Sequence, residues 1–294
     1  MGARLRTAGL FLLLTGIFVG FGWVIGTVFF GDWLPMVVLF LVLAAAMNAI
    51  SYFFADRLVL WTYRAKPVTE SEAPALYRVV QRVAAMNDLP VPRVYLVPSA
   101  TPNAFATGRN PRHAVVAVTQ GAFRVLNERE LTAVVAHEMA HVKDRDILVM
   151  SVAATIAGAL TLLARWALWG TLLGGGSRDR QGGWLMYVLA ILGIVLVPFA
   201  VLLVQLAISR SREYKADHVG AKTLGAPGAL ADALEQLEYR NRQNPMDFGS
   251  PSSGSLWIVN PFRGNWLAGV LSTHPPIDER IRRLRLLEKG EDAY

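Results

Sequence analysis

The chain has 294 residues, 53% of them hydrophobic, no cysteine and a net charge of +7. The lack of cysteine excludes disulfides, thiolate metal sites and thiol nucleophiles, and suits the reducing side of a membrane. So apolar a composition exceeds that of an ordinary soluble domain, so the basic excess has to be read against a membrane before nucleic acid is considered.

Residues 8–30 carry no charge and are long enough to cross a bilayer, with Arg4 and Arg6 just before them. The run is too long for a cleaved leader and has no clean small-x-small cleavage site. Gly31-Asp32 turns the chain into a second apolar run at about 33–54, so residues 1–54 are expected to form a transmembrane hairpin. From residue 55 charges return. Residues 72–86 read as an amphipathic helix with Leu76, Val79, Val80 and Val83 on one face. Residues 94–97 and 115–118 read as short strands. The Pro-, Gly- and Asn-rich stretch between them reads as a loop.

The next helix carries the chemistry. Asn127 and Glu130 form a capping-box pattern at its start, and no Gly or Pro interrupts residues 131–146. Within it lies His137-Glu138-Met139-Ala140-His141. Residues four apart share a helix face, so His137 and His141 project side by side, spaced to hold one metal ion. Glu138 stands beside them, placed to take a proton from a water activated by that metal. This is the pattern of a zinc hydrolase. Leu131, Val134 and Val135 form an apolar stripe that Glu138 and His141 continue, so the site is expected to face inward.

Residues 147–174 and 184–208 are again apolar, joined by a Gly-rich turn at 174–183, and make a second expected hairpin. Arg165 interrupts the first of the two and needs a partner or an exit from lipid. Most of the 29 Lys and Arg fall in 55–146 and 209–294, and few in the two short turns. The positive-inside rule places both segments in the cytoplasm. Topology thus accounts for the basic charge, and nucleic acid is not an expected partner.

A catalytic zinc takes three protein ligands and a water. A third His six residues after His141 would complete one known pattern, but that position is Ile147. Asp146, Glu213, Asp217, His218 and His274 remain as candidates. Glu213 and Asp217 lie four apart on a helical stretch ended by Gly225. One of them can bind metal while the other accepts a hydrogen bond from a ligating His.

The stretches HEMAHVKDRDILVMS, SREYKADHVGA, PNAFATG and STHPPIDERIRRL, in their positions among four apolar runs, resemble the HtpX family of membrane zinc proteases. The prenyl-CAAX endopeptidases are more distant relatives. The resemblance covers nearly the whole chain. It implies one Zn²⁺ on His137, His141 and Glu213, with Glu138 as general base. It also implies a plasma-membrane, multi-pass protein whose cytoplasmic domain cleaves damaged or misfolded membrane proteins. Asp144 stands where many members have Asn, off the ligand spacing, and residues 241–256 match least well.

A developing oxyanion needs a second donor. His274, stiffened by Pro275 and Pro276, is the expected one, with Tyr214 as runner-up; His113 and His218 are expected to be structural or solvated. The strand at 114–118 is expected to present an open edge for an extended peptide, bordered by residues 103–108. The C-terminal helix from Pro276 is expected to bury Ile277, Ile281 and Leu284 and turn its arginines outward.

The expected architecture is a mainly α membrane protein. Four transmembrane helices carry a cytoplasmic zincin-like α+β domain with a small sheet, assembled from residues 55–146 and 209–294. The expected partners are protein or peptide substrates and the lipid bilayer. Two other classes compete. A catalytically silent protein with a structural metal would not need Glu138. A transporter lined by Arg165 would need more ionisable residues within its spans.

Overall fold

The computed structural model describes residues 3–173, 210–249, 251–262 and 275–291. The expected span at 184–208, its connecting turn and His274 lie outside the described residues. So does the side chain of Arg165.

Helix α1 (Ala3–Ile25) ends in a π-turn, and Gly31 reverses the chain with a positive φ of 72°. Helix α2 (Leu34–Thr62) starts where the Asp32 carboxylate accepts the Leu34 N–H. Gly22 and Gly26 let the two helices touch: a Cβ on either would fall within 3 Å of the α2 entry backbone. The span windows Leu5–Val28 and Leu34–Thr62 are only 28% and 11% buried, so neither is a core helix. Leu12, Trp23, Val42 and Phe53 are among the apolar side chains left exposed, a surface that lipid would cover. These are the two helices among the described residues that are long and apolar enough to cross a membrane. Helix α2 continues past residue 54, because no breaker follows. Asp56 marks where it meets the polar domain, pairing with Arg93 at 2.9 Å.

Strand β1 (Lys66–Pro67) is followed by helix α3 (Pro74–Met86), which buries Leu76, Val79, Val80 and Val83 as its periodicity predicts. Then come β2 (Arg93–Val97), β3 (Ala104–Thr107) and β4 (Val115–Thr119). The sheet order is β1-β2-β4-β3, with β2 and β4 parallel and β3 antiparallel to β4. Two expectations fail here. The stretch read as loop contains β3, and the strand read as an open edge is internal, so β3 holds the edge. The composition misled because β3 is four residues long between Pro, Asn and Gly. Strand β4 is buried on both faces, with Val116 and Val118 in one core and Val115 and Ala117 in the other.

Helix α4 (Gln120–Val125) leads into α5 (Glu128–Lys143), and α6 (Asp146–Leu173) follows. The first half of α6 packs within the protein, burying Val149, Val152, Ile156 and Leu160 beside Leu10 and Leu14 of α1. Helices α7 (Arg210–Leu224), α8 (Pro227–Gln243) and α9 (Ile277–Glu288) complete the described part. One core lies between the sheet, α3, α5 and α8; the other joins the sheet's opposite face to α1, α2 and α6. Residues 251–262 form a strap. Trp257 stacks edge-on against Tyr63 and Phe105, and the Ile258 N–H donates to the Ala104 carbonyl on β3 at 3.1 Å. The strap therefore covers one end of the edge strand.

Candidate active site

The site is built on α5. The capping box forms: Asn127 accepts the Glu130 N–H at 3.0 Å, and Glu130 accepts the Asn127 N–H at 2.9 Å. Every residue from Glu130 to Val142 is buried. Two imidazoles and a carboxylate are thereby carried into the interior, where unpaired polar groups are costly.

Helix α7 lies against α5. Glu213, Asp217 and Gly220 recur at intervals of four and three, so all face α5. A Cβ on Gly220 would meet the His137 backbone at about 3.0 Å, and its absence lets the helices approach closely there. Glu213 then reaches both imidazoles. Its Oε1 is 3.4 Å from His141 Nε2 and its Oε2 is 3.9 Å from His137 Nε2. One donor atom from each of the three groups lies within 4.8 Å of the others. Of the candidate third ligands among the described residues, Glu213 is thus the one facing both Nε2 atoms.

Each outer ring nitrogen faces a carboxylate. His137 Nδ1 lies 2.9 Å from Asp217 Oδ1, which orients its ring with Nε2 inward. Asp217 is gripped in turn by Arg280, whose Nε and Nη2 donate to its two oxygens at 2.8 and 2.7 Å. Arg280 Nη1 donates to the Ile258 carbonyl of the strap at 2.7 Å and stands 3.9 Å from Glu213. On the other side, His141 Nδ1 faces Asp146 Oδ2 at 3.6 Å, beyond a direct hydrogen bond. Glu213 and Asp217 thus divide the two roles that their spacing offered, one toward the inner nitrogens and one behind His137.

Arg280 is the residue that the sequence reading missed. It was expected to face solvent with its neighbours, yet it is fully buried. The signal was present: Arg280 lies three residues after Ile277 and four before Leu284, on the apolar face itself. Leu284 is buried as expected, and Ile277 and Ile281 pack against the core.

The charge balance follows from burial. Burial pushes the Glu138 carboxyl up to about 8, with Glu213 adding to the effect and the Ala106 N–H of β3 opposing it. Burial carries His137 down to about 4 despite Asp217, so it is a neutral, lone-pair donor. Burial also acts to lower His141, but Asp146 and Glu213 overcome it and raise it to about 10, so the metal-free site holds a proton on this ring that an incoming ion would displace. Burial opposes ionisation of Asp217 too, and the Arg280 guanidinium holds it below the usual carboxylate range. Two imidazole nitrogens and a carboxylate oxygen converging in a buried site are the donor set that a catalytic zinc takes. The residues fit that ion.

The remaining candidates fall elsewhere. Asp146 stands behind His141. Tyr214 is half-buried with its ring under Arg283, 3.9 Å from the guanidinium carbon. His113 is exposed on a short turn and close to Asn110. His218 is half-buried, outside the three-residue cluster. Asp144, off the ligand spacing, pairs with Lys215 at 2.5 Å and links α5 to α7 near the surface.

Comparison with known proteins places this geometry. The model of peptidase family M48 matches residues 70–288, which include every residue of the cluster. A protease HtpX homolog of Syntrophobacter fumaroxidans is 53% identical, covering 97% of this chain and 99% of that one. The protease HtpX homolog of Pyrococcus furiosus is 48% identical, covering 97% and 96%. Among solved structures, the crystal structure of S. mikatae Ste24p is similar in fold, with a TM-score of 0.50 at 18% identity. That match covers 96% of this chain and 65% of the Ste24p chain. The chain belongs to peptidase family M48 and is a metalloprotease of the HtpX type.

Proposed function

We propose that the protein is a zinc endopeptidase that hydrolyses membrane proteins, damaged or misfolded ones among them, from the cytoplasmic side of the plasma membrane. One observation carries the chemistry: the Glu213 carboxylate faces both inward imidazole nitrogens, with buried Glu138 beside them. His137, His141 and Glu213 would hold the ion. When bound, Zn²⁺ supplies Lewis-acid polarisation of the scissile carbonyl and lowers the pKa of water.

The chain's own groups do the rest. Glu138 takes the proton of the attacking water and returns it to the leaving amine. The Ala106 N–H steers that carboxylate from the edge strand. Asp217 and Asp146 keep the two rings aimed inward. An extended substrate adds to the outer edge of β3 beyond Ala104, where the strap ends its cover. His274, stiffened by Pro275 and Pro276, is proposed as the oxyanion donor. The two exposed apolar helices that precede the site in the chain support membrane substrates, and the charge-poor turns support the cytoplasmic side.

Metal removal tests the reading. Dialysis of detergent-purified protein against a zinc chelator is expected to abolish casein cleavage, and one equivalent of Zn²⁺ to restore it. Cleavage that survives complete removal of zinc would refute the proposal.

A further inference from the structure

The N-terminal membrane helix reaches the metal site. Asp146 is nearly fully buried at the elbow between α5 and α6, and its Oδ2 faces His141 Nδ1. Its other oxygen, Oδ1, accepts from two guanidiniums. Arg212 Nη1, on the residue just before Glu213, lies at 3.0 Å; Arg6 Nη2, from α1, lies at 2.8 Å. An arginine that merely flanks a span sits among lipid headgroups. The Arg6 side chain is instead turned inward and only 23% exposed. It lies four residues before Leu10 and eight before Leu14, on the stripe by which α1 packs against α6.

We propose that Arg6 is a positioning residue for the metal site, so that α1 is a working part of the centre as well as a membrane anchor. This rests on the zinc reading given above. Arg6 and Arg212 together occupy Oδ1 and leave Oδ2 to His141. The single carboxylate thus ties three elements: the helix of the two histidines, the helix of Glu213, and the first span. Without Arg6 the carboxylate keeps Arg212 but loses its tether to α1. It is then free to rotate toward Arg212 and away from the ring that it steadies. Groups behind a metal ligand typically change affinity by about 10- to 100-fold. Arg6 acts one step further out and shares its oxygen with Arg212, so its effect belongs near the lower end.

The test is zinc affinity of the full-length protein in detergent, read by competition with a chromophoric chelator. Wild type is compared with Arg6→Gln, Arg6→Lys, Asp146→Asn and the double variant Arg6→Gln/Asp146→Asn. Arg6→Gln is expected to bind zinc about tenfold more weakly, and Arg6→Lys, which keeps the cation, to recover most of the loss. In the Asp146→Asn background, Arg6→Gln is expected to add nothing, since coupled residues do not act additively. The same loss in both backgrounds would overturn the proposal, as would Arg6→Gln binding zinc like wild type. Melting of the metal-free variants separates damage to the fold from damage to the site: an Arg6→Gln loss matched by a fall in metal-free melting temperature, with no rescue by Lys, also counts against it. A wild-type protein that binds no zinc would instead refute the zinc reading itself.

Discussion

Replacing Glu138 by Gln is expected to reduce peptide hydrolysis by about a hundredfold to ten-thousandfold, the usual contribution of a positioned acid–base group. Zinc content should stay at the wild-type level. Glu138 is not in the cluster of converging donors, and the amide oxygen of Gln can still accept the Ala106 N–H. The fold should not suffer either. Gln is isosteric with Glu and brings no new charge into the buried site. Activity assays and metal analysis on the same preparation check the prediction. Undiminished cleavage would remove Glu138 as the base. Lost zinc would recast it as a determinant of the site.

The largest effect on stability is expected at Arg280. Arg280→Met removes a fully buried guanidinium and leaves the Asp217 carboxylate without its two charge-assisted hydrogen bonds. Breaking one side of a buried ion pair typically costs about 3–5 kcal/mol, because the other charge is left uncompensated. Arg280→Lys is expected to rescue little: one ammonium cannot reproduce the paired geometry and also reach the Ile258 carbonyl. The double variant Arg280→Met/Asp217→Asn should regain part of the loss. Thermal melts of the metal-free protein in detergent read these differences. Zinc affinity should fall along with stability, because Asp217 orients His137. A variant that melts like wild type would mean that the pair contributes nothing net to the fold.

Much of the site was legible before any coordinates. The four-residue spacing of His137 and His141 fixes a shared face, and the Asn127–Glu130 box fixes where the helix begins, both by local rules. The choice between Glu213 and Asp217 was not local. They share a face of α7, and only the approach of that helix at Gly220 decides which carboxylate meets the inner ring nitrogens. Arg280 was misplaced because charge was weighed above position. Its spacing put it on the apolar face, but a buried arginine makes sense only with a buried carboxylate opposite, and Asp217 lies 63 residues away. The edge strand was hidden for a related reason. Four residues among turn-formers have too little pattern to register, and β4 gains its edge-less position only from pairing on both sides. Of the four expected spans, α1 and α2 are long and apolar enough to cross a membrane. The first half of α6 packs beside α1, while the side chains of its later part and the fourth expected span lie outside the described residues.

The coordination of zinc by the full-length protein bears most directly on the whole account. X-ray absorption at the zinc edge should show a four-coordinate nitrogen and oxygen shell at about 2.0–2.2 Å, with the multiple scattering of two imidazoles. In Glu213→Ala the shell should lose one oxygen ligand, and zinc should dissociate far more readily. A wild-type shell without two imidazoles, or a shell and affinity unchanged by the loss of Glu213, would contradict the account.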